Sequence, residues 1–338
     1  MYEAFYGFRE RPFDLTPNPR FLLLTGKHRE ALSNLQYGLT SRRGLTLLVG
    51  EAGTGKTTLI RAVIQDYEKQ GALFAYLNNP TLSRSEFYEF LTGAFGFAAP
   101  AATSKTVLLA ELGRVLERRR SSDLMTGLVI DEAQALPDEL LEEVRLLANI
   151  ETATDKLLPI VLAGQPELAD RLNKVSLRQL KQRVALRCEL SALDAKETAE
   201  YIAGRIRVAG GNSVMVFTRQ AVESIFERSG GIPRLISVIC DNALISGFAA
   251  DRRPVGRDIV EDVCRDFDLL TGAQPVAPAS VSVVEPQRAP TSAGHPTVAP
   301  SAAGTSQAAT PEEPPEKGKK RERSLFEHFS IRRRFSLF

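Results

Sequence analysis

The sequence predicts an α/β protein in which helices cover both faces of a parallel sheet, followed by a small all-helical domain and a disordered tail. Between residues 45 and 190, short apolar runs alternate with helical stretches, a pattern typical of such a sheet. After residue 190 only helical patterns remain. After residue 270 the composition is rich in Pro, Ala, Ser and Thr, which cannot build a hydrophobic core.

The length of 338 residues exceeds what one hydrophobic core usually organises, so we expect two folded units and an appendage. The predicted parts are an irregular N-terminal segment packed on the core (1–26), an α/β domain (27–190), a helical lid domain (191–270), a disordered Pro/Ala-rich linker (271–316) and a basic, aromatic C-terminal peptide (317–338).

The pattern places five strands and nine helices in order. The strands are Leu45–Val49, Ala72–Leu77, Leu128–Ile130, Leu157–Ala163 and Val184–Leu190. The helices of the α/β domain are His28–Leu39, Thr57–Gln70, Glu86–Phe95, Thr106–Arg119 and Asp138–Asn149. Those of the second domain are Asp194–Val208, Thr218–Arg228, Pro233–Phe248 and Arg257–Phe267. Several begin at or just after an Asp, Thr or Gly, as helices commonly do.

A glycine-rich run follows the first predicted strand. It consists of Gly50, Glu51, Ala52, Gly53, Thr54, Gly55, Lys56, Thr57 and Thr58, and it matches the phosphate-binding pattern G-x-x-x-x-G-K-[ST]. Glycines let backbone N–H groups surround a polyphosphate. The lysine reaches the β- and γ-phosphates, and the hydroxyl of Thr57 ligates Mg²⁺. The sequence therefore predicts a site for ATP and Mg²⁺.

An acidic pair, Asp131 and Glu132, ends the third predicted strand. Ligands of open α/β sheets bind at the carboxyl ends of the strands. We expect Asp131 to hold the Mg²⁺ shell and Glu132 to orient or deprotonate the attacking water. A surface Asp–Glu pair that merely opens a helix is the alternative, and it accounts less well for the accompanying phosphate loop.

The strings MYEAFYGF, GEAGTGKTTLIR, LVIDEAQ and IVLAGQPEL occur in this order. Together they resemble the AAA+ ATPases of the general secretion pathway protein A type. Relatives of that type accompany exopolysaccharide and exosortase clusters, and transposition regulators are more distant kin. The resemblance covers about residues 1–268. It implies an oligomeric ATPase, a switch or motor for envelope secretion or assembly, whose nucleotide lies between the sheet domain and a helical lid.

The resemblance also implies roles for single residues. Gln165, after the fourth strand, stands where AAA+ proteins keep a polar residue near the γ-phosphate. Arg234 opens a lid helix and resembles the lid arginine that touches the γ-phosphate. Arg183, before the fifth strand, stands where related ATPases project an arginine finger into the neighbouring subunit, with Arg178 as the second choice. A basic, solvated helix face is the alternative for both finger candidates.

Charge is distributed unevenly along the chain. Residues 1–270 carry 34 basic and 35 acidic side chains, whereas residues 317–338 carry 8 and 2. The terminal peptide interleaves basic and bulky apolar residues, which suits an anionic membrane surface, a docking partner or a solvated end. The near-neutral body argues against a broad nucleic-acid face. A DNA-associated regulator of the transposition type is therefore the second hypothesis.

The sequence has no apolar stretch near the ~20 residues that a membrane span requires, and its N-terminus does not read as a secretory signal. Members of the secretion type continue into a transmembrane helix and a periplasmic region, and this sequence does not. We therefore expect a cytoplasmic protein, peripheral at the inner face of the membrane if the tail binds there. We also expect a homo-oligomer, ring or filament, and an unidentified secretion or assembly partner.

Overall fold

The structure is a computed structural model. It describes residues 1–267, except residues 17, 22–24, 42–43, 79 and 153–154. The predicted linker and C-terminal peptide, residues 271–338, lie outside the described residues. The last residues of the predicted lid domain do so as well.

Five parallel strands form a single sheet in the described part of the chain. They are β1 (Leu45–Gly50), β2 (Leu73–Leu77), β3 (Thr126–Ile130), β4 (Ile160–Gly164) and β5 (Val184–Leu190). The order across the sheet is β2-β3-β4-β1-β5, and every neighbouring pair is parallel. All carboxyl ends therefore meet at one edge. The predicted α/β class with a parallel sheet is confirmed.

Two strands begin two or more residues away from their predicted starts, for identifiable reasons. The fourth strand begins at Ile160 rather than Leu157, because Pro159 has no N–H for the ladder and the N–H of Leu157 donates to Ile150 O at 3.0 Å. The third strand begins at Thr126, two residues early, because Thr126 and Gly127 pair with the first residues of β2. Burial of the apolar residues 157 and 158 explains why they resemble a strand in sequence.

Among the described residues, eight α-helices surround the sheet. They are α2 (Gly26–Thr40), α3 (Lys56–Glu68), α4 (Arg84–Phe95), α5 (Pro100–Thr103), α6 (Lys105–Ser121), α7 (Asp138–Leu147), α8 (Pro166–Leu172) and α9 (Arg178–Lys181). Successive strand residues point to opposite faces, so Leu47 enters one apolar core and Leu48 enters another. Because both faces are covered, β1 is buried along its whole length.

The region after β5 is helical, as predicted. Its helices are α10 (Ala195–Val208), α11 (Arg219–Ser229), α12 (Pro233–Ala249) and α13 (Arg257–Asp266). Asp194 forms a capping box with Glu197 at the start of α10, and Thr218 caps α11. Side chains at helical spacing on these four helices form a third apolar core.

The N-terminal segment differs from the irregular coil that the sequence predicts, since it begins with a helix, α1 (Tyr2–Tyr6). Its aromatic residues belong to the core of the lid helices and not to those of the sheet. They are Tyr2, Tyr6, Phe8, Phe13 and Phe21. The prolines of this segment predict coil. The first turn is nevertheless helical, because Tyr2 and Tyr6 are buried against α12.

Arg205 of α10 fastens this segment to the lid helices. Its Nε donates to Pro12 O at 2.6 Å and its Nη2 donates to Asp14 O at 3.1 Å. Its Nη1 donates to the Tyr201 hydroxyl at 2.5 Å, and the guanidinium carbon lies 5.1 Å from the Phe21 ring centre. Buried cations require such partners, so this arginine holds Pro12, Asp14 and Phe21 in place.

None of the helices in the described ranges is long and apolar enough to cross a lipid bilayer.

Candidate nucleotide site

The glycine-rich run forms the loop between β1 and α3. Gly53 and Gly55 have φ of 83° and 100°, in the left-handed region that glycine adopts at little cost. These turns lead directly into α3, whose first residue is Lys56. The Lys56 Nζ donates to Gly50 O at 2.7 Å and to Glu51 O at 3.0 Å. Burial lowers the pKa of Lys56, and the carboxylates of Glu132 and Asp131 oppose that shift.

The acidic pair lies beside this loop because β3 ends at the same sheet edge as β1. Asp131 is fully buried. Its Oδ2 accepts the Thr57 hydroxyl at 2.6 Å and the Tyr76 hydroxyl at 3.2 Å. Its Oδ1 accepts the backbone N–H of Glu132 at 3.0 Å. The two residues predicted as Mg²⁺ ligands therefore have their oxygens in direct contact.

Glu132 and Gln165 are also brought together. Glu132 has φ 54°, unusual for a residue other than glycine, and its side chain lines the cavity described below. Gln165 follows β4 and precedes α8, and its Nε2 lies 3.5 Å from Glu132 Oε2. The amide of Gln134 contacts the same carboxylate oxygen at 2.6 Å.

Arg234 approaches the phosphate loop from the lid helices. It is the second residue of α12, after Pro233, and its backbone N–H donates to Gly53 O at 3.2 Å. A Cβ placed on Gly53 would lie 2.7 Å from the Arg234 Cβ. The absence of a side chain at residue 53 therefore permits this close contact between loop and lid.

Arg183 and Arg178 do not join the site of their own chain. Both are exposed. Arg183 precedes β5, and its carbonyl accepts the N–H of Leu45, the first residue of β1. The phosphate loop begins at the other end of β1, about 20 Å away for six strand residues. Arg183 thus lies toward the amino edge of the sheet.

A cavity of about 330 Å³ joins the loop, the lid helices and the N-terminal segment. Sequence reasoning missed most of its lining beyond the loop. The missed lining residues include Asp14, Leu15, Thr16, Asn18, Phe21, His28, Leu193, Tyr201, Arg205, Pro233 and Ser237. They come from three distant stretches of the chain, so spacing in the sequence gives no signal for them.

His28 connects the start of α2 to the loop. Its Nε2 lies 3.2 Å from Thr54 O and its Nδ1 lies 2.9 Å from the Thr25 hydroxyl. Burial lowers the pKa of His28, so the neutral ring donates from Nε2 to the loop carbonyl and accepts from Thr25. This buried pair supports the outer turn of the loop.

The arrangement fits a magnesium nucleotide. Left-handed glycines and the N-terminus of a 13-residue helix present backbone N–H groups to an anion. Lys56 adds a cation, and the adjoining oxygens of Thr57 and Asp131 are hard donors of the type that Mg²⁺ prefers. Glu132 supplies a carboxylate that can accept a proton.

Comparison with known proteins agrees with this geometry. Residues 39–172 match the family described as AAA domain. The chain is 39% identical to general secretion pathway protein A of Aeromonas hydrophila over 249 residues, which are 74% of this chain and 45% of that protein. The chain therefore spans about half the length of that curated relative.

Solved structures share the fold. The Aeropyrum pernix ORC2 protein has a TM-score of 0.58 at 18% identity, over 78% of this chain and 73% of that one. Cdc6p from Pyrobaculum aerophilum has a TM-score of 0.58 at 17% identity, over 78% and 72%. Such identities show the fold alone. The AAA-domain match and the 39% identity over 74% of this chain show that the chain belongs to the AAA+ ATPases of the general secretion pathway protein A type.

Proposed function

We propose that this protein binds ATP with Mg²⁺ between the sheet and the lid helices and hydrolyses it to ADP and phosphate. The observation that carries the proposal is the 2.6 Å contact between Thr57 Oγ1 and Asp131 Oδ2. This contact joins the phosphate loop to the acidic pair at one edge of the sheet, although Thr57 and Asp131 lie 74 residues apart in the sequence. Glu132 then faces the same cavity as Lys56.

The loop performs the binding step. The backbone N–H groups of Gly53, Gly55 and Lys56 surround the β-phosphate, and the ammonium group of Lys56 exchanges its loop carbonyl partners for phosphate oxygens. The oxygens of Thr57 and Asp131 would hold Mg²⁺. The metal would supply positive charge that neutralises the charge developing on the phosphates.

Glu132 acts on water. Its carboxylate orients a water molecule and accepts its proton while the water oxygen bonds to the γ-phosphorus. The bond from that phosphorus to the bridging oxygen breaks, and ADP leaves with the bond electrons. General-base help of this kind is worth about 10²- to 10⁴-fold in rate. Gln165, 3.5 Å from Glu132, hydrogen-bonds the water or a γ-phosphate oxygen.

Two arginines complete the proposed site. Arg234, at the N-terminus of α12, touches the γ-phosphate and so reports its presence to the lid. Arg183 is too far from its own loop, so it serves a neighbouring copy in a ring or filament, with Arg178 as the alternative. Fixed cations of this kind contribute about 10³- to 10⁵-fold to phosphoryl transfer.

The resemblance to general secretion pathway protein A suggests the wider role. We propose that the ATP cycle operates a switch or motor for envelope secretion or exopolysaccharide assembly, through a partner protein on the cytoplasmic side. The tail, which lies outside the described residues, is the proposed contact to an anionic membrane surface. DNA binding of the transposition type ranks second, and a salt-dependent shift of duplex DNA with ATP would favour it.

Two variants test hydrolysis. Lys56→Ala is expected to abolish the calorimetric heat of ATP binding with Mg²⁺, because a cation and its phosphate contacts are lost. Glu132→Gln is expected to bind ATP normally and to lose turnover by about 100-fold or more, because an amide cannot accept the proton. Turnover is measured as the release of phosphate.

Lys69→Ala and Glu68→Gln, exposed positions at the end of α3, are the matched controls and should behave as wild type. Normal turnover by the Glu132→Gln protein would mean that another group accepts the proton from the attacking water. No binding heat in the folded wild-type protein would contradict the proposed function as a whole.

A further inference from the structure

The carboxylate of Glu132 is held at one oxygen only. Oε2 accepts the Gln134 Nε2 at 2.6 Å, and Gln165 Nε2 lies 3.5 Å from the same atom. Oε1 has no donor among the described residues of the chain. Because the residue lines the cavity, this oxygen is available to a water molecule while its twin is occupied.

Gln134 is itself fixed at both ends. Its Oε1 accepts the backbone N–H of Gln165 at 3.1 Å, which orients the amide so that its NH₂ group faces Glu132. Its backbone carbonyl accepts the Nη1 of Arg171 at 2.6 Å. The other side of that guanidinium pairs with Asp138, the first residue of α7. The glutamine therefore spans the ends of β3 and β4.

Gly164 supplies a second, independent observation. A Cβ on this residue would lie 2.7 Å from Gln134 Oε1, closer than real contacts allow. Gly164 has no positive φ, so its backbone does not demand glycine. The missing side chain at the end of β4 leaves the space that the Gln134 amide fills.

We propose that Gln134 is a positioning residue for the Glu132 carboxylate. It anchors Oε2, fixes the rotation of the side chain and leaves Oε1 directed at the attacking water. The need for an anchor follows from the backbone, because a left-handed Glu132 is strained and its flexible side chain has several rotamers. The inference rests on the proposed hydrolytic role of Glu132.

The test uses Gln134→Ala, which removes the anchor, and Gln134→Glu, which keeps the shape but cannot donate to Oε2. Both are expected to lower kcat by about 10-fold or more, since a general base works only when correctly placed. The KM for ATP and the affinity for a fluorescent ADP derivative should stay at wild-type values, because Gln134 does not line the cavity. Thermal unfolding verifies that each variant folds.

Gln220→Glu provides a matched control, because Gln220 is exposed on α11. The second measurement is a double-mutant cycle on the full chain, followed in single-turnover experiments with labelled ATP. If Gln134 acts through Glu132, adding Gln134→Ala to the Glu132→Gln protein causes no further loss. An additive loss, or a parallel rise in KM, would overturn the positioning role.

These outcomes distinguish the positioning role of Gln134 from the proposed ATP hydrolysis on which it rests. If turnover is lost in Glu132→Gln but stays at the wild-type level in both Gln134 variants, only the positioning role is refuted. Absence of hydrolysis by the wild-type protein, or full turnover by Glu132→Gln, refutes the proposed function and the inference together.

Discussion

At the scale of single residues, the hydrogen bonds of Asp131 bear on how the proposed Mg²⁺ would be held. Burial, together with the charge of Asp131, raises the pKa of Tyr76 to about 12. The phenol therefore stays protonated near neutral pH and can only donate to the carboxylate. Tyr76 donates to the same oxygen as Thr57, so it would orient Asp131 when the site holds Mg²⁺. Supporting groups of this kind commonly set metal affinity.

We predict that Tyr76→Phe weakens Mg²⁺ binding to the ADP-loaded protein by about 10-fold, the usual scale for loss of a supporting hydrogen bond. Affinity for ADP in EDTA should not change, because the loop is untouched. Calorimetric titration with Mg²⁺ measures the first quantity, and titration with ADP in EDTA measures the second. Tyr67→Phe, a half-buried tyrosine on α3, is the control, and equal Mg²⁺ affinity in the two variants would rule out the role of Tyr76.

The sequence predicts the site residues that belong to local patterns and misses those that depend on strand order. The phosphate loop and the Asp131–Glu132 pair each lie within one short run, so spacing alone predicts them. Tyr76 and Gln134 act because β2 and β4 both flank β3. Strand order is a property of the folded sheet. It cannot be deduced from the fact that residue 76 is a tyrosine and residue 134 a glutamine.

At the scale of elements, a glycine at the contact between loop and lid and a glycine within a helix have different requirements. Gly53 has a left-handed backbone and abuts the Arg234 Cβ, whereas Gly93 lies within α4 with open space around it. The same change to alanine should therefore have opposite consequences at these positions.

We predict that Gly53→Ala lowers the affinity for ATP by at least about 10-fold, because backbone strain and the clash with Arg234 displace the loop from α12. Gly93→Ala should instead raise the free energy of unfolding by roughly 0.5–1 kcal/mol, the helix advantage of alanine. Nucleotide titration measures the affinity of Gly53→Ala for ATP, and urea denaturation measures the free energy of unfolding of Gly93→Ala. Wild-type affinity in Gly53→Ala would mean that the loop and lid move independently.

Element types were easier to predict than their limits. Apolar periodicity revealed all five strands, yet it could not show that Leu157 and Leu158 are buried outside the ladder. The first turn, Tyr2–Tyr6, was missed because five residues are too few to establish a helical period, and its stability comes from contacts with helices more than 230 residues later.

At the scale of the whole molecule, the distance from Arg183 to its own phosphate loop fits the proposed site shared between copies. We predict that Lys56→Ala and Arg183→Ala are each inactive, the latter by about 10³-fold, and that mixing them restores turnover. In the mixture one copy contributes the intact loop and the other contributes the arginine.

A mixture of Lys56→Ala with Arg207→Ala, an exposed lid arginine, gives the reference level for an intact finger. Near-normal turnover of Arg183→Ala alone would exclude this residue, and Arg178→Ala is then the variant to examine. Failure of the Lys56→Ala and Arg183→Ala mixture to recover would mean that the arginine does not act between copies.

The lid core includes aromatic side chains from residues 2–21 together with apolar residues as late as Cys264. A chain emerging from the ribosome therefore exposes Tyr2, Tyr6 and Phe13 long before their native neighbours exist. The sheet domain is completed in between, and the two stretches pack together only after residue 264 has been synthesised. Until then, those early rings are bare apolar surface of the kind that chaperones bind.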